Sequence, residues 1–179
     1  MQRTVTIPDA QAARSAAYII TACEGANRHL RDLRVRPYDF DPAVIERFLA
    51  GALLPSAWYV QAQRFRAVYR RKILKLFETV DVILAPTTPC PAIRIGQPTI
   101  SVHGVDLPSR PNLGIFTQPL SFVGLPIISV PVFLPGKLPM GVQVIAAPYN
   151  EAAVFRVAAQ LEAMGVVEAR IPAPAETVA

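Results

Sequence analysis

The sequence predicts an α/β fold: a mixed β-sheet covered by helices on both faces. Three observations predict it. Two apolar, β-branched runs, Ile127–Leu134 and Met140–Ala147, are joined by Pro135-Gly136-Lys137-Leu138-Pro139 and read as core strands across a turn. Both runs are almost continuously apolar, the pattern of strands covered on two sides. Helical spacing fills residues 1–79 and returns at 150–165, whereas the prolines, 18 of 179 residues, cluster from Pro86 to Pro139, where helix is disfavoured.

Taken in order, Val5–Ile7 suits a short strand. Asp9 then caps a helix with Ala13, Ala16, Ala17, Ile20, Cys23 and Leu30 on one face, and Gly25 inside it reads as a mild defect. Asp41-Pro42 is a helix start, with Gly51 placed to end that helix and Val44, Ile45, Phe48 and Leu49 on its buried side. A long helix from Ser56 to Glu78 runs into a strand at Val80–Leu84. Between Pro86 and Pro111 the pattern offers only a hairpin around Ile100–Leu107. Gly114–Pro126 reads as irregular backbone able to line a pocket beside the sheet. Asn150 caps a last helix with Val154, Val157, Ala158, Leu161 and Met164 inward and Gly165 at its end, and Pro172–Ala179 reads as a loose tail.

The whole, residues 1–179, is expected to be one domain: helical over 1–79, strands and pocket loops over 80–149, a helix over 150–165. No apolar run reaches the roughly 18–20 residues that span a bilayer, and the first residues lack the apolar block of a secretory signal. Cys23 and Cys90 give no disulfide framework, so a reducing, cytoplasmic setting is expected. Neither His29 nor His103 sits near a cysteine or the other histidine, so neither a metal nor another cofactor is expected.

The formal charge of +5 is concentrated in Arg64, Arg66, Arg70, Arg71, Lys72 and Lys75. Interleaved with Phe65, Tyr69, Ile73, Leu76 and Val80 at helical spacing, these form the wet face of an amphipathic helix. No nucleic-acid-binding motif accompanies them, so neither nucleic acid nor membrane is an expected partner.

Several blocks carry a resemblance. Phe116-Thr117-Gln118-Pro119, Gly124-Leu125-Pro126-Ile127-Ile128-Ser129-Val130-Pro131 and Leu138-Pro139-Met140-Gly141-Val142-Gln143-Val144-Ile145 resemble the C-terminal signature of the amidase signature family. Val80–Pro89 and Glu46–Gly51 resemble the same family, in the family's order and spacing. The resemblance implies the C-terminal portion of the amidase signature fold. Family members hydrolyse amides with a serine, a second serine in a cis peptide and a lysine, carried by a Gly/Ser-rich motif and a lysine upstream of it. No two glycines or serines are adjacent here, and Lys72, Lys75 and Lys137 stand in no matching context, so no catalytic residue is expected in this chain.

The resemblance also implies binding residues. Arg47 stands where relatives of the glutamine-using tRNA amidotransferase place an arginine near the substrate carboxylate. A guanidinium holds a carboxylate in fixed bidentate geometry, though an ordinary surface arginine on the Asp41–Gly51 helix is the other reading. Gly114 occupies a position similar to an aspartate that would hold a substrate ammonium, which argues against free glutamine as substrate. Phe116, Thr117, Gln118 and Ser121 complete the candidate pocket. Gln118 offers both donor and acceptor, suited to a urea-like or carboxylated urea substrate. Asn112–Phe122 resembles the branch that acts on carboxybiuret, whose members work with a small partner subunit. The expectation is therefore the C-terminal part of an amide- or urea-hydrolysing enzyme, inactive alone and oligomeric. The rival is a truncated non-catalytic homologue serving as a binding or oligomerisation module.

Overall fold

The computed structural model describes residues 2–170, and the expected loose tail at 172–179 lies outside them. In order run α1 (Ala10–Val35), α2 (Pro42–Leu53), α3 (Ser56–Leu76), β1 (Val82–Pro86), β2 (Thr99–Val102), β3 (Val105–Pro108), α4 (Ser109–Asn112), α5 (Gln118–Ser121), β4 (Ile127–Val132), β5 (Met140–Ala146) and α6 (Glu151–Ala163). The described residues divide into two compact units: one made of those up to 80 together with 117–124, the other of 81–116 together with those from 125 on.

The first unit is built on α1. Its buried positions are mostly alanine: Ala13, Ala16, Ala17, Ala22 and Ala26, with Ile20 and Leu33. Small side chains let neighbouring backbones come close. Gly51 does not end α2, which continues to Leu53; it is buried at the crossing with α1, where an added Cβ would lie 2.1 Å from the Ala22 carbonyl oxygen. Nor is Gly25 a defect. A Cβ there would sit 2.6 Å from the Phe48 ring, and that ring stacks on His29 at 5.2 Å. Leu30 and Leu49, expected inside, are exposed.

Two expectations at the start of the chain fail. Asp9 precedes α1 in a left-handed conformation without capping it, because its carboxylate instead meets Lys72 Nζ at 2.6 Å. Residues 5–7 form no strand. Asp41 caps as expected, accepting from the Ala43 amide at 2.8 Å ahead of Pro42. α3 carries the stacked rings Phe65 and Tyr69, with Tyr69 continuing onto Phe122 at 5.6 Å. Its basic face is only partly wet. Arg70 Nε donates to the Val123 carbonyl at 3.1 Å and Arg66 lies over the Phe122 ring.

The second unit holds an antiparallel sheet ordered β1-β5-β4 and a separate β2-β3 hairpin. The sheet is thus antiparallel throughout the described residues rather than mixed. A short connection favours this pairing: Leu134–Lys137 turn with Pro135 and Gly136 (φ 68°) at the centre and a 3.1 Å bond from Lys137 N to Leu134 O. His103 and Gly104, both at positive φ, close the hairpin that the sequence suggested. Ile145 pairs with Ile83 on one side and Ile127 on the other.

Alternate residues Ile128, Val130 and Val132 and Val142, Val144 and Ala146 pack against α6 through Val154, Val157, Ala158 and Leu161. α6 supplies the helical cover on that face. Asn150 makes no side-chain cap, and Met164, expected inward, is exposed. The helix end behaves as read: Gly165 (φ 69°) and Val166 donate to Glu162 O and Leu161 O, which satisfies the last carbonyls.

Candidate functional site

The six residues expected to bind substrate fall on both sides of the point where the chain passes from one unit to the other. Gly114 and Phe116 belong to the second unit; Arg47, Thr117, Gln118 and Ser121 belong to the first. The stretch expected as irregular backbone contains a single-turn helix, α5, which Gln118 opens, and a second, α4, lies just ahead of it.

In the first unit one stripe of α1 organises two of these residues. Arg14, Tyr18 and Thr21 recur at i, i+4 and i+7, so they share a helix face spanning about 10 Å. The Arg47 guanidinium lies 4.8 Å from the centre of the Tyr18 ring and donates to Thr21 Oγ1. Thr21 is itself oriented, donating back to the Ala17 carbonyl at 2.8 Å. Arg47 is half-buried and forms no ion pair among the described residues. It is therefore not a freely waving surface arginine. Its remaining N–H groups are the kind that grip a carboxylate.

At the other end of the stripe, Arg14 Nε donates to Gln118 Oε1 at 3.1 Å. α5 is closed by Leu120 N and Ser121 N, both donating to the Thr117 carbonyl at 3.1 and 2.9 Å. Ser121 is exposed at its end, whereas Pro119 and Leu120 are buried and anchor it.

In the second unit, Gln143 fixes the backbone ahead of α5. Its Nε2 donates to the carbonyls of Pro86 and Phe116 at 2.9 and 3.0 Å, so the Phe116 carbonyl is tied to the sheet. Gln143 is 1% exposed and its Oε1 has no hydrogen-bond partner among the described residues. Nearby, Thr87 Oγ1 and Ser129 Oγ lie 2.9 Å apart, and Gly141 leaves them room: a Cβ there would approach both to 2.7 Å.

Arg14, Tyr18 and Gln143 were not singled out from sequence. The α1 stripe runs between buried alanines, with Thr21 one turn after Ala17 and Tyr18 one turn before Ala22, and its polar residues read from sequence as ordinary solvent contacts. Gln143 carried a detectable signal, a lone amide inside an apolar strand, because a buried amide needs partners. Neither cysteine is bonded. Burial, and secondarily Glu24, pushes the Cys23 thiol up, which disfavours a thiolate nucleophile. Among the described residues no three His, Cys, Asp or Glu side chains converge as metal ligands, and no helix is long and apolar enough to cross a membrane.

The chain belongs to the amidase signature family: the family model "Amidase" matches residues 3–155. It is 48% identical over 162 residues to AtzE, the 1-carboxybiuret hydrolase subunit of Pseudomonas sp. (strain ADP), covering 89% of this chain and 35% of that protein. With a glutamyl-tRNA(Gln) amidotransferase subunit of Halalkalibacterium halodurans it shares 34% identity over 137 residues, 72% of this chain and 27% of the other.

Among solved structures it superimposes with a TM-score of 0.90 and 45% identity on an inhibitor-bound vestigial protein complex that reveals the evolutionary origins of an s-triazine catabolic enzyme. That match covers 95% of this chain and 38% of the other. An amidase crystal structure matches with a TM-score of 0.86 and 27% identity, over 90% and 37% of the two chains. The chain spans about a third of the length of the curated relatives it matches.

Proposed function

We propose that this chain forms the C-terminal part of a hydrolase that cleaves an amide- or urea-type C–N bond, with carboxybiuret or a similar small carboxylated urea as substrate. The observation that carries this reading is the joint likeness to AtzE: 48% identity along 89% of the chain, confined to 35% of that protein. The catalytic serines and lysine would come from the N-terminal half that this sequence does not contain. There, serine would attack the carbonyl, an acyl-enzyme would form as the C–N bond breaks, and water would release the acid. Backbone amides of that half would stabilise the oxyanion.

This chain would supply binding: Arg47 for the substrate carboxylate and Gln118 for a carbonyl or carboxylate oxygen, with Gly114, Phe116, Thr117 and Ser121 as wall. Gly114 presents no charge to an ammonium, which disfavours free glutamine. The complex described for the related structures motivates an oligomer that includes a small partner subunit. The test is ammonia release from carboxybiuret. The purified 179-residue chain is expected to give none, and the full-length protein carrying an upstream Gly/Ser-rich half is expected to give turnover. Turnover by the chain alone sinks the division of labour. A silent full-length protein that still assembles with other copies favours the binding-module reading.

A further inference from the structure

We infer that Arg14 is a positioning residue that sets the specificity of the pocket by fixing which end of the Gln118 amide faces the ligand. This rests on Gln118 being part of the binding site, as proposed above. An unrestrained glutamine can turn its amide and present either a donor or an acceptor. Here it is restrained. Arg14 Nε, which can only donate, meets Gln118 Oε1 at 3.1 Å, and a turn of the amide would set N–H against N–H. The oxygen is therefore committed to α1, and the NH2 end is the arm presented elsewhere. Gln118 Nε2 has no hydrogen-bond partner among the described residues.

The consequence is chemical. A group facing Gln118 must be an acceptor, the oxygen of a carbonyl or carboxylate, rather than the NH2 of a urea. Arg47, from α2, lies against the same α1 stripe, held by Tyr18 and Thr21. It too is donor-only. Both ends of the stripe thus ask for oxygen, which matches a small anionic, carbonyl-rich ligand and discriminates against a neutral carboxamide. The guanidinium also strengthens the outward donor, because a charged partner on Oε1 polarises the amide.

The test uses the full-length protein and two probes titrated by calorimetry: N-carbamoylglycine, a carboxylated urea, and its carboxamide. The wild type is expected to prefer the acid. In Arg14→Met the amide is free to turn, so that preference is expected to fall roughly tenfold, the scale of a lost charge-assisted hydrogen bond. Arg14→Lys keeps a donor and retains part of the preference, which guards against a variant that merely folds poorly. Gln118→Glu places an oxygen where the NH2 was and is expected to lose the acid while keeping the carboxamide.

Adding Arg14→Met to Gln118→Ala is expected to leave the ratio of the two affinities where Gln118→Ala alone puts it, since Arg14 sets the preference through Gln118. An equal loss of both probes in Arg14→Met, or a further change of that ratio in the double variant, overturns the inference and leaves the binding site standing. If Gln118→Ala changes neither affinity, the site assignment itself falls and the role of Arg14 falls with it.

Discussion

Along α1 the buried positions are filled by Ala13, Ala16, Ala17, Ala22 and Ala26, whereas β4, β5 and α6 bury Val130, Val144, Ile145 and Val154. The helical unit gains its contacts by bringing backbones together; the sheet unit gains them by filling space between backbones already set by the strand ladder. The two respond oppositely to a change in side-chain volume. Helices over small residues tolerate no added carbon where they cross. A sheet over branched residues tolerates no missing one.

The sharpest way to break this comparison is Gly51→Ala. In an open helix the change would gain about 1 kcal/mol of propensity. Here the new Cβ would meet the Ala22 carbonyl oxygen at 2.1 Å and its carbon at 2.3 Å, backbone atoms that cannot rotate away. A net loss of about 3 kcal/mol is expected as α1 and α2 are forced apart. Urea unfolding followed by Trp58 fluorescence reports it, since the single tryptophan lies on α3 of this unit. A gain in stability would mean the crossing is looser than described.

The converse change in the sheet unit is smaller. Ile145 is 0% exposed between Ile83 and Ile127, and Ile145→Val removes one methyl group from that row. About 1 kcal/mol should be lost, the usual scale for this truncation, with faster amide exchange in β5. An effect exceeding that of Gly51→Ala would reverse the ranking of the two units.

This contrast also explains what was legible in the sequence. The sheet unit announced itself: β-branched runs, Pro135-Gly136 and Gly165 each carry a local signal, and β4, β5, their turn and the end of α6 came out within a residue or two. The helical unit was legible as helices but not as packing. Gly25 and Gly51 looked like a defect and a stop because their reason is the partner helix, Phe48 in one case and Ala22 in the other. Asp9 looked like a cap because Lys72, its actual partner, lies 63 positions away. For the candidate site, the resemblance pointed to Arg47 and Gln118, but the α1 residues that hold them carry no local signature. Arg14 and Gln118 are 104 positions apart, and only the fold makes them a pair.

The smallest effect at neutral pH is expected at Tyr69, where the helical unit buries a large side chain rather than a small one. The ring stacks between Phe65 and Phe122, it is 0% exposed, and its hydroxyl has no hydrogen-bond partner among the described residues. Burial first, and the Asp9 carboxylate second, push the phenol up from 10.0 to about 12. The folded state therefore holds the proton more tightly than the unfolded chain. Stability from this source is complete below about pH 10 and is lost as pH rises through about 12, by roughly 2 kcal/mol. Tyr69→Phe keeps the stacked ring and deletes only the unpartnered hydroxyl, so at pH 7 stability should move by less than about 1 kcal/mol. Between pH 10 and 12 the variant should lose less than the wild type in parallel urea titrations. Identical alkaline slopes would mean that the phenol ionises without unfolding its surroundings, and that this aromatic stack is more open to water than the alanine-lined crossing beside it.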